Sequence, residues 1–437
     1  MTSAAGTGRR RQDTVYRAGV YGHRPRVPTV YRALAREARR RLDARAYGYV
    51  AGGAGDEATQ RADRAAFDAW SVVPRVLRDV SRRDTSVELF GRRLPAPVLL
   101  GPVGALELVH PQGDLAVARA AAAVGVPMVF SNQASVPMET TAAAMGDSPR
   151  WMQLYWSTSD ELVESLLGRA EASGCEAVVV TLDTTMLGWR PRDLELGHLP
   201  FALGKGIAQY TSDPVFRRLV AERAAAGGTP PTGAAGAVDR QRPTVAAVRA
   251  LVGMARAWST ATGMPLSEAL RSPLPRAAVE TFLGIYSRPS ITWADLAWLR
   301  ARTSLPIVLK GVLHPDDARR AVDEGVAGLV VSTHGGRQVD RSIAALDALP
   351  DVVSAVDDRI PVLFDSGVRS GADVLVALAL GARAVLLGRP FAWGLGVAGE
   401  EGVRQVVEDV VGEFDLTLGL TGHTAVDQLS REVLRRR

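Results

Sequence analysis

The sequence predicts an α/β fold, specifically a (β/α)8 barrel, and three observations predict it. From about residue 96 onward, short apolar runs alternate with helical patterns eight times. Most runs are rich in Val, Ile and Leu, and several are apolar at consecutive positions, as in parallel strands covered on both faces. Eight such units suit a closed barrel better than an open doubly wound sheet, which usually has fewer strands.

The elements follow in order. Residues 1–28 read as a disordered or extended tail, and 29–437 as one barrel domain. Residues 29–47 read as a helix with Thr29 as N-cap and Leu34, Ala38 and Leu42 at helical spacing, ending at Gly52-Gly53. The predicted strands are 96–101, 127–131, 151–155, 177–183, 305–310, 328–332, 361–365 and 384–388. Helical patterns lie at 113–124, 160–172, 315–323, 350–356 and 371–380, most of them followed by the glycine expected at a helix end. His110 and His314, each before a proline, read as turn or cap residues. One connection breaks the rhythm: an insert at about 184–291, before a helix at 292–301. Its centre, 224–237, has the composition of a flexible segment, and 244–285 is partly helical in pattern. Long insertions in barrel enzymes cover the active-site face, so this one is expected to act as a lid.

Composition excludes several function classes. The 437 residues are 47% hydrophobic and 23% charged, which is ordinary for a globular protein and excludes a disordered or collagen-like chain. The single cysteine, Cys175, excludes a disulfide framework and a cysteine-based zinc cluster, and no metal site is expected. The net charge is +5, yet all but two of the 52 Lys and Arg residues are arginine, spread along the whole chain. That bias is compositional rather than a nucleic-acid footprint. No secretory signal and no membrane-length apolar stretch is read, so a cytoplasmic location is expected.

The chemistry should lie at the C-terminal ends of the strands. Collected there are Ser131, Gln153 and Tyr155, Thr181 and Asp183, Lys310, His334 and Arg337, Asp365, and Gly388-Arg389. The turn Asp365-Ser366-Gly367-Val368-Arg369 and the strand end Gly388-Arg389-Pro390 read as a phosphate site, because glycines let backbone N–H groups approach an anion and arginine adds a bidentate contact. Lys310 is one of only two lysines and ends an apolar run; it could serve as a Schiff-base amine, a phosphate ligand or a cation beside an anionic cofactor. His334, one of six histidines, is the candidate acid/base, with Asp183 placed to orient it.

These residues resemble the FMN-dependent α-hydroxy-acid oxidase and dehydrogenase family. The matching segments are Tyr47-Gly48-Tyr49-Val50-Ala51-Gly52-Gly53-Ala54, Gln153-Leu154-Tyr155, Thr181-Leu182-Asp183, Gly188-Trp189-Arg190, Lys310-Gly311, His334-Gly335-Gly336-Arg337-Gln338, Asp365-Ser366-Gly367-Val368-Arg369 and Gly388-Arg389-Pro390. Within the family, Leu187-Gly188-Trp189-Arg190-Pro191-Arg192-Asp193-Leu194 is most similar to the lactate 2-monooxygenase branch. The resemblance implies FMN as cofactor. Pro102, Val103, Gly104, Ser131, Gln153, Thr181 and Lys310 would contact the flavin ring and ribityl chain, with Ser332 nearby. Asp365, Gly367, Arg369, Gly388 and Arg389 would hold the ribityl-phosphate end. Tyr49, Arg190 and Arg337 would bind the substrate carboxylate, Tyr155 would bond at the reacting centre, and His334 would be the base backed by Asp183.

The implied activity is oxidation of a lactate-like L-2-hydroxy acid to the 2-keto acid, with O2 as acceptor and, in the monooxygenase branch, coupled decarboxylation. The alternatives are a simple oxidase on a larger hydroxy acid, another FMN enzyme on a similar barrel, and a non-catalytic FMN- or phosphate-binding barrel. A homo-oligomer, tetramer or octamer, is implied, with no membrane or nucleic-acid partner. Three departures from the family pattern bear on the substrate: Thr333 before His334 where asparagine is usual, Val103-Gly104 with Gln133 at the pocket, and the insert beyond Pro200.

Overall fold

The computed structural model describes residues 6–226 and 244–437. Eight parallel strands close into a barrel: β1 (Val98–Leu100), β2 (Met128–Phe130), β3 (Arg150–Leu154), β4 (Val178–Thr181), β5 (Ile307–Lys310), β6 (Gly328–Val331), β7 (Val362–Phe364) and β8 (Ala384–Leu387). Each pairs with its neighbours in sequence, and β8 returns to β1 in the register Val385↔Val98. All eight predicted runs are strands of this barrel.

The strand period of two explains the architecture. One set of alternate residues, including Leu99, Val129, Trp151, Val179, Val308, Val330, Leu363 and Leu386, forms an inner core. The other set, including Leu100, Phe130, Leu154, Val180, Leu309, Val331 and Phe364, packs outward against the helices. A hairpin of Val87–Leu89 with Arg92–Leu94 joins the inner core at the N-terminal end, where Phe90 lies 5.3 Å from the Trp151 ring. This apolar plug closes the bottom of the barrel.

Helices at Gly113–Val124, Asp160–Ala172 and Pro315–Asp323 have the predicted bounds. His314 caps the last of these by accepting the Asp316 N–H. Four expectations differ from the structure. The tail expected over 1–28 contains a helix, Thr7–Val20, held to the kinked Arg389–Leu420 helix by Arg11–Asp409 at 2.7 Å and Gly8 N–H to Asp415 at 2.8 Å. The helix expected over 29–47 is two helices, Tyr31–Arg41 and Ala44–Ala51. Thr29 is not the cap; Asp43 breaks the run and caps the second helix through the N–H groups of Arg45 and Ala46. The helix expected at 350–356 begins at Ala345, with Pro350 inside it and Ala345, Leu346 and Leu349 buried. The helix expected at 292–301 spans Asp295–Arg300, because Thr292 is held in a turn by the Asp295 carboxylate.

The insert carries helices at Pro214–Ala225, Val245–Thr262 and Leu274–Ile285. Of its expected flexible centre, 227–237 lies outside the described residues, while Ala224 and Ala225 end the first of these helices. Among the described residues, no helix is long and apolar enough to cross a membrane.

Candidate active site

One step further along the inward register, the barrel becomes polar. Past the apolar layer the inward positions are Gly101, Ser131, Gln153, Thr181, Lys310, Ser332, Asp365 and Gly388. They bond to one another. Ser131 donates to Gln153 Oε1 (3.3 Å), and Gln153 Nε2 donates to Thr181 Oγ1 (3.0 Å). Lys310 Nζ donates to Ser332 Oγ (2.7 Å) and pairs with Asp365 (3.0 Å). Over this floor lies a partly open cavity, lined by residues from the ends of all eight strands or the loops that follow them.

Of the residues proposed from sequence, Tyr49, Pro102, Val103, Gly104, Ser131, Tyr155, Arg190, Lys310, His334, Arg337, Asp365, Gly367, Arg369, Gly388 and Arg389 line the cavity. Gln153, Thr181, Asp183 and Ser332 lie behind them, each bonded to a neighbour in the site. The second tyrosine of the Tyr47/Tyr49 pair reaches the site because Asp43 starts a new helix that carries it there. Tyr47 instead stacks on Trp393, 5.2 Å away.

His334 and Asp183 form a hydrogen-bonded pair at the cavity. His334 Nδ1 lies 2.7 Å from Asp183 Oδ1, which also accepts the Thr184 hydroxyl at 2.9 Å. The carboxylate can only accept, so Nδ1 carries the proton and Nε2 is left as the basic atom. Burial opposes the Asp183 charge, but the imidazole, the Lys310 ammonium and the donor bonds outweigh it and hold this carboxyl at about 2. Burial lowers His334 below the usual histidine range, and the nearby Lys310 and Arg190 cations add to that against the pull of Asp183. The pair at neutral pH is therefore a neutral imidazole on an ionised carboxylate. Burial works against Lys310, yet Asp365 and Asp183 keep it firmly charged.

The rest of the mouth is cationic. Arg337 donates to the carbonyls of Tyr49 (2.6 Å) and Gly52 (2.7 Å). Arg389 donates to Val50 and Gly335 O (2.9 Å each) and to Gln60 (3.0 Å). Arg190 donates to Gln338 Oε1 at 2.8 Å. Among the described residues, none of these three nor Arg369 forms an ion pair with a carboxylate. Burial, then the neighbouring guanidinium charges, push Arg337 down to about 9. Burial and Arg369 push Arg389 down to about 10. Cations set in a cavity without a directly paired carboxylate make a site for anions. Burial raises the phenols of Tyr49 and Tyr155, with the Asp183 charge adding to the latter, so both remain hydrogen-bond donors.

FMN fits this cavity on three counts. Gly388 has φ −122°, so conformation does not require glycine; a Cβ there would have only Val103, at 3.9 Å, beside it and would fill the cavity instead. Gly367, at φ +92°, has Asp63 O only 2.4 Å from where its Cβ would be, so its turn must be glycine. The uncompensated Arg369 and Arg389 stand at these same two turns, on the ends of β7 and β8.

Several site residues were not singled out by the sequence. Leu187, which opens the segment of the branch resemblance, lines the cavity with Phe201 and Tyr286, and all three come from the insert. Phe201 packs edge-on to Tyr49 (6.4 Å) and against Phe282 (5.5 Å). Gln338, at the end of the segment His334-Gly335-Gly336-Arg337-Gln338, joins Arg190 to the carbonyls of Asp183 and Met186. Asp63 and Ser366 bond the loop that bears His334.

Comparison with known proteins agrees with the barrel fold and with FMN as cofactor. An FMN-dependent α-hydroxy acid dehydrogenase of Penicillium citrinum is 41% identical over 97% of this chain and 95% of its own length. An L-lactate oxidase of Lysinibacillus sphaericus is 38% identical over 92% of this chain and 91% of its own. A crystal structure of mandelate oxidase with (S)-4-hydroxymandelic acid aligns with a TM-score of 0.75 at 36% identity, covering 94% of this chain and 99% of that one. The pattern of the FMN-dependent dehydrogenases matches residues 38–436, and the chain belongs to that family, with FMN as its cofactor.

Proposed function

We propose that the protein oxidises an L-2-hydroxy acid to the 2-keto acid, with O2 as the final acceptor. The observation that carries this reading is the meeting, in one cavity, of a neutral imidazole with a free Nε2 and a pair of guanidinium groups, Arg190 and Arg337, that lack a carboxylate partner. Arg190 and Arg337, with the Tyr49 hydroxyl, would hold the substrate carboxylate and so fix the α-carbon. Tyr155 would bond the α-oxygen. His334 Nε2 would take the proton released at the α-hydroxyl or α-carbon, and Asp183 would stabilise the imidazolium. Pro102, Val103, Gly104 and Ser131 would wall the flavin ring, backed by Gln153, Thr181 and Ser332. Lys310 would place a fixed positive charge beside that ring, and Asp365, Gly367, Arg369, Gly388 and Arg389 would seat its ribityl-phosphate end. FMN, when bound, supplies the two-electron acceptor.

One observation favours a second outcome. Leu187, Phe201 and Tyr286 wall the substrate side, and Phe201 is almost fully buried. A site narrowed by these side chains would hold keto acid and hydrogen peroxide together for longer. Peroxide would then attack the carbonyl carbon, CO2 would leave, and the acid one carbon shorter would form with water. The test is an anaerobic titration of the FMN-loaded protein with L-lactate and L-mandelate, followed by aeration and a balance of keto acid, peroxide and CO2. Bleaching of the flavin by a hydroxy acid supports the oxidation; no bleaching by any 2-hydroxy acid refutes it. Stoichiometric CO2 marks the decarboxylating outcome, and stoichiometric peroxide the simple oxidase.

A further inference from the structure

The backbone under the proposed base is strained. His334, Gly335 and Gly336 are three consecutive left-handed residues, with φ of +57°, +63° and +70°. A histidine holds that conformation only where its surroundings over-determine it. Gly336 has no alternative residue, since a Cβ would lie 2.5 Å from the Gln60 backbone.

Thr333 brackets this turn. Its hydroxyl donates to Asp63 Oδ2 at 2.6 Å and accepts the Gly336 N–H at 3.1 Å. Asp63 comes from a helix outside the barrel, Ala58–Asp68, and is 2% exposed. Its Oδ1 accepts the N–H of Ala345, the first residue of the helix after β6, at 3.0 Å. Its carbonyl abuts Gly367 in the turn after β7. One residue thus touches the base's turn through its side chain and the anion-binding turn through its backbone. Burial raises the Asp63 carboxyl to about 6 and the Asp365 charge adds to this, against the Thr333 and Ala345 donors and Arg389. At neutral pH it is mainly the double acceptor that the two donors require. A buried charge is costly, and space alone would be filled more cheaply by an apolar side chain.

We propose that Asp63 is a positioning residue for His334: by fixing the Thr333 hydroxyl it holds the left-handed turn that aims the imidazole into the cavity. This rests on His334 being the base. Asp63→Asn replaces one acceptor with a donor and reverses the bond to Thr333. Thr333→Val removes the bond without changing charge, and Thr333→Ser keeps it. The measurements, on FMN-loaded protein, are anaerobic flavin reduction, KM, FMN affinity, thermal unfolding, and the His334 titration followed by NMR without substrate.

Thr333→Ser should reduce flavin at about the wild-type rate. Thr333→Val and Asp63→Asn should each slow reduction about tenfold or more, with KM and FMN affinity nearly unchanged, because a misaimed base costs rate rather than binding. The double variant should be no slower than the slower single, since one bond carries both effects. The His334 titration should move to lower pH in Thr333→Val as its pairing with Asp183 loosens. Wild-type reduction rates in folded single variants, additive effects, or losses confined to FMN affinity or stability would overturn the proposal. So would an unmoved titration. That readout stands apart from the base assignment, which fails separately if His334→Ala reduces flavin at the wild-type rate.

Discussion

The two ends of the same eight strands differ in kind. At the bottom the inward residues are Leu99, Trp151, Val308 and their neighbours, sealed by the hairpin and Phe90. Two residues further on, about 6.6 Å along each strand, the same register carries Gln153, Lys310, Ser332 and Asp365. The lower layer is dry and held by packing. The upper layer is polar, and it is stable because its members bond one another in short chains, Ser131–Gln153–Thr181 and Ser332–Lys310–Asp365. Stability and chemistry are therefore separated along the barrel axis, and single substitutions can probe one without the other.

The largest expected effect tests the lower end. Trp151→Ala removes a side chain that is 2% exposed and should cost about 3–5 kcal/mol of stability. Denaturant unfolding measures this, and flavin reduction per FMN-bound site should stay at the wild-type rate. A comparable loss of rate would show that the two ends are coupled. The converse is His334→Ala, which should slow flavin reduction at least about 100-fold by stopped flow while leaving the unfolding midpoint close to wild type. Next, Arg337→Lys keeps a charge but loses the planar fork, and should lower kcat/KM by about 1.5–3 kcal/mol. Steady-state kinetics on an accepted hydroxy acid checks it, and unchanged values would place Arg337 outside the substrate site.

The smallest effect is in pH dependence. As the proposed base, His334 would work only when neutral, and its pKa lies below the usual range because of burial and the nearby cations. The reduction rate should therefore rise with pH through a limb below about 6.5 and be flat at neutrality. Asp183→Asn removes the charge that raises His334, so the limb should move further down while the rate falls. A limb moving to higher pH would mean that the titrating group is not His334.

Much of this was legible because strand and helix periods are local. Eight apolar runs placed the barrel, and the polar residues ending six of them lie at or just behind the cavity. The Asp43 cap and the Thr292–Asp295 turn are local misses, but the larger ones share a cause, partners distant in sequence. The Thr7–Val20 helix is polar and arginine-rich, and is held by Asp409 and Asp415 at the far end of the chain. Pro350 hid a helix whose start is fixed by Asp63. Asp63 looks like any solvated residue of an amphipathic helix until Thr333 arrives beside it. Phe201 and Tyr286 come from the one stretch whose rhythm differs, and no spacing marks them as walls of the cavity.

The return of β8 to β1 has a consequence for how the protein is made. Val98 must wait on the ribosome for Val385, roughly 15–60 s at ordinary rates of synthesis. During that time the nascent chain carries apolar strands with an open edge, a form prone to aggregate. The two turns proposed for the FMN phosphate end lie on β7 and β8, the last strands to emerge, so a cofactor seated there would dock only as the ring closes. A ligand that binds only the closed form stabilises it in proportion to the logarithm of its concentration. Flavin supply should therefore govern the yield of folded protein in the cell, apart from any part it plays in turnover.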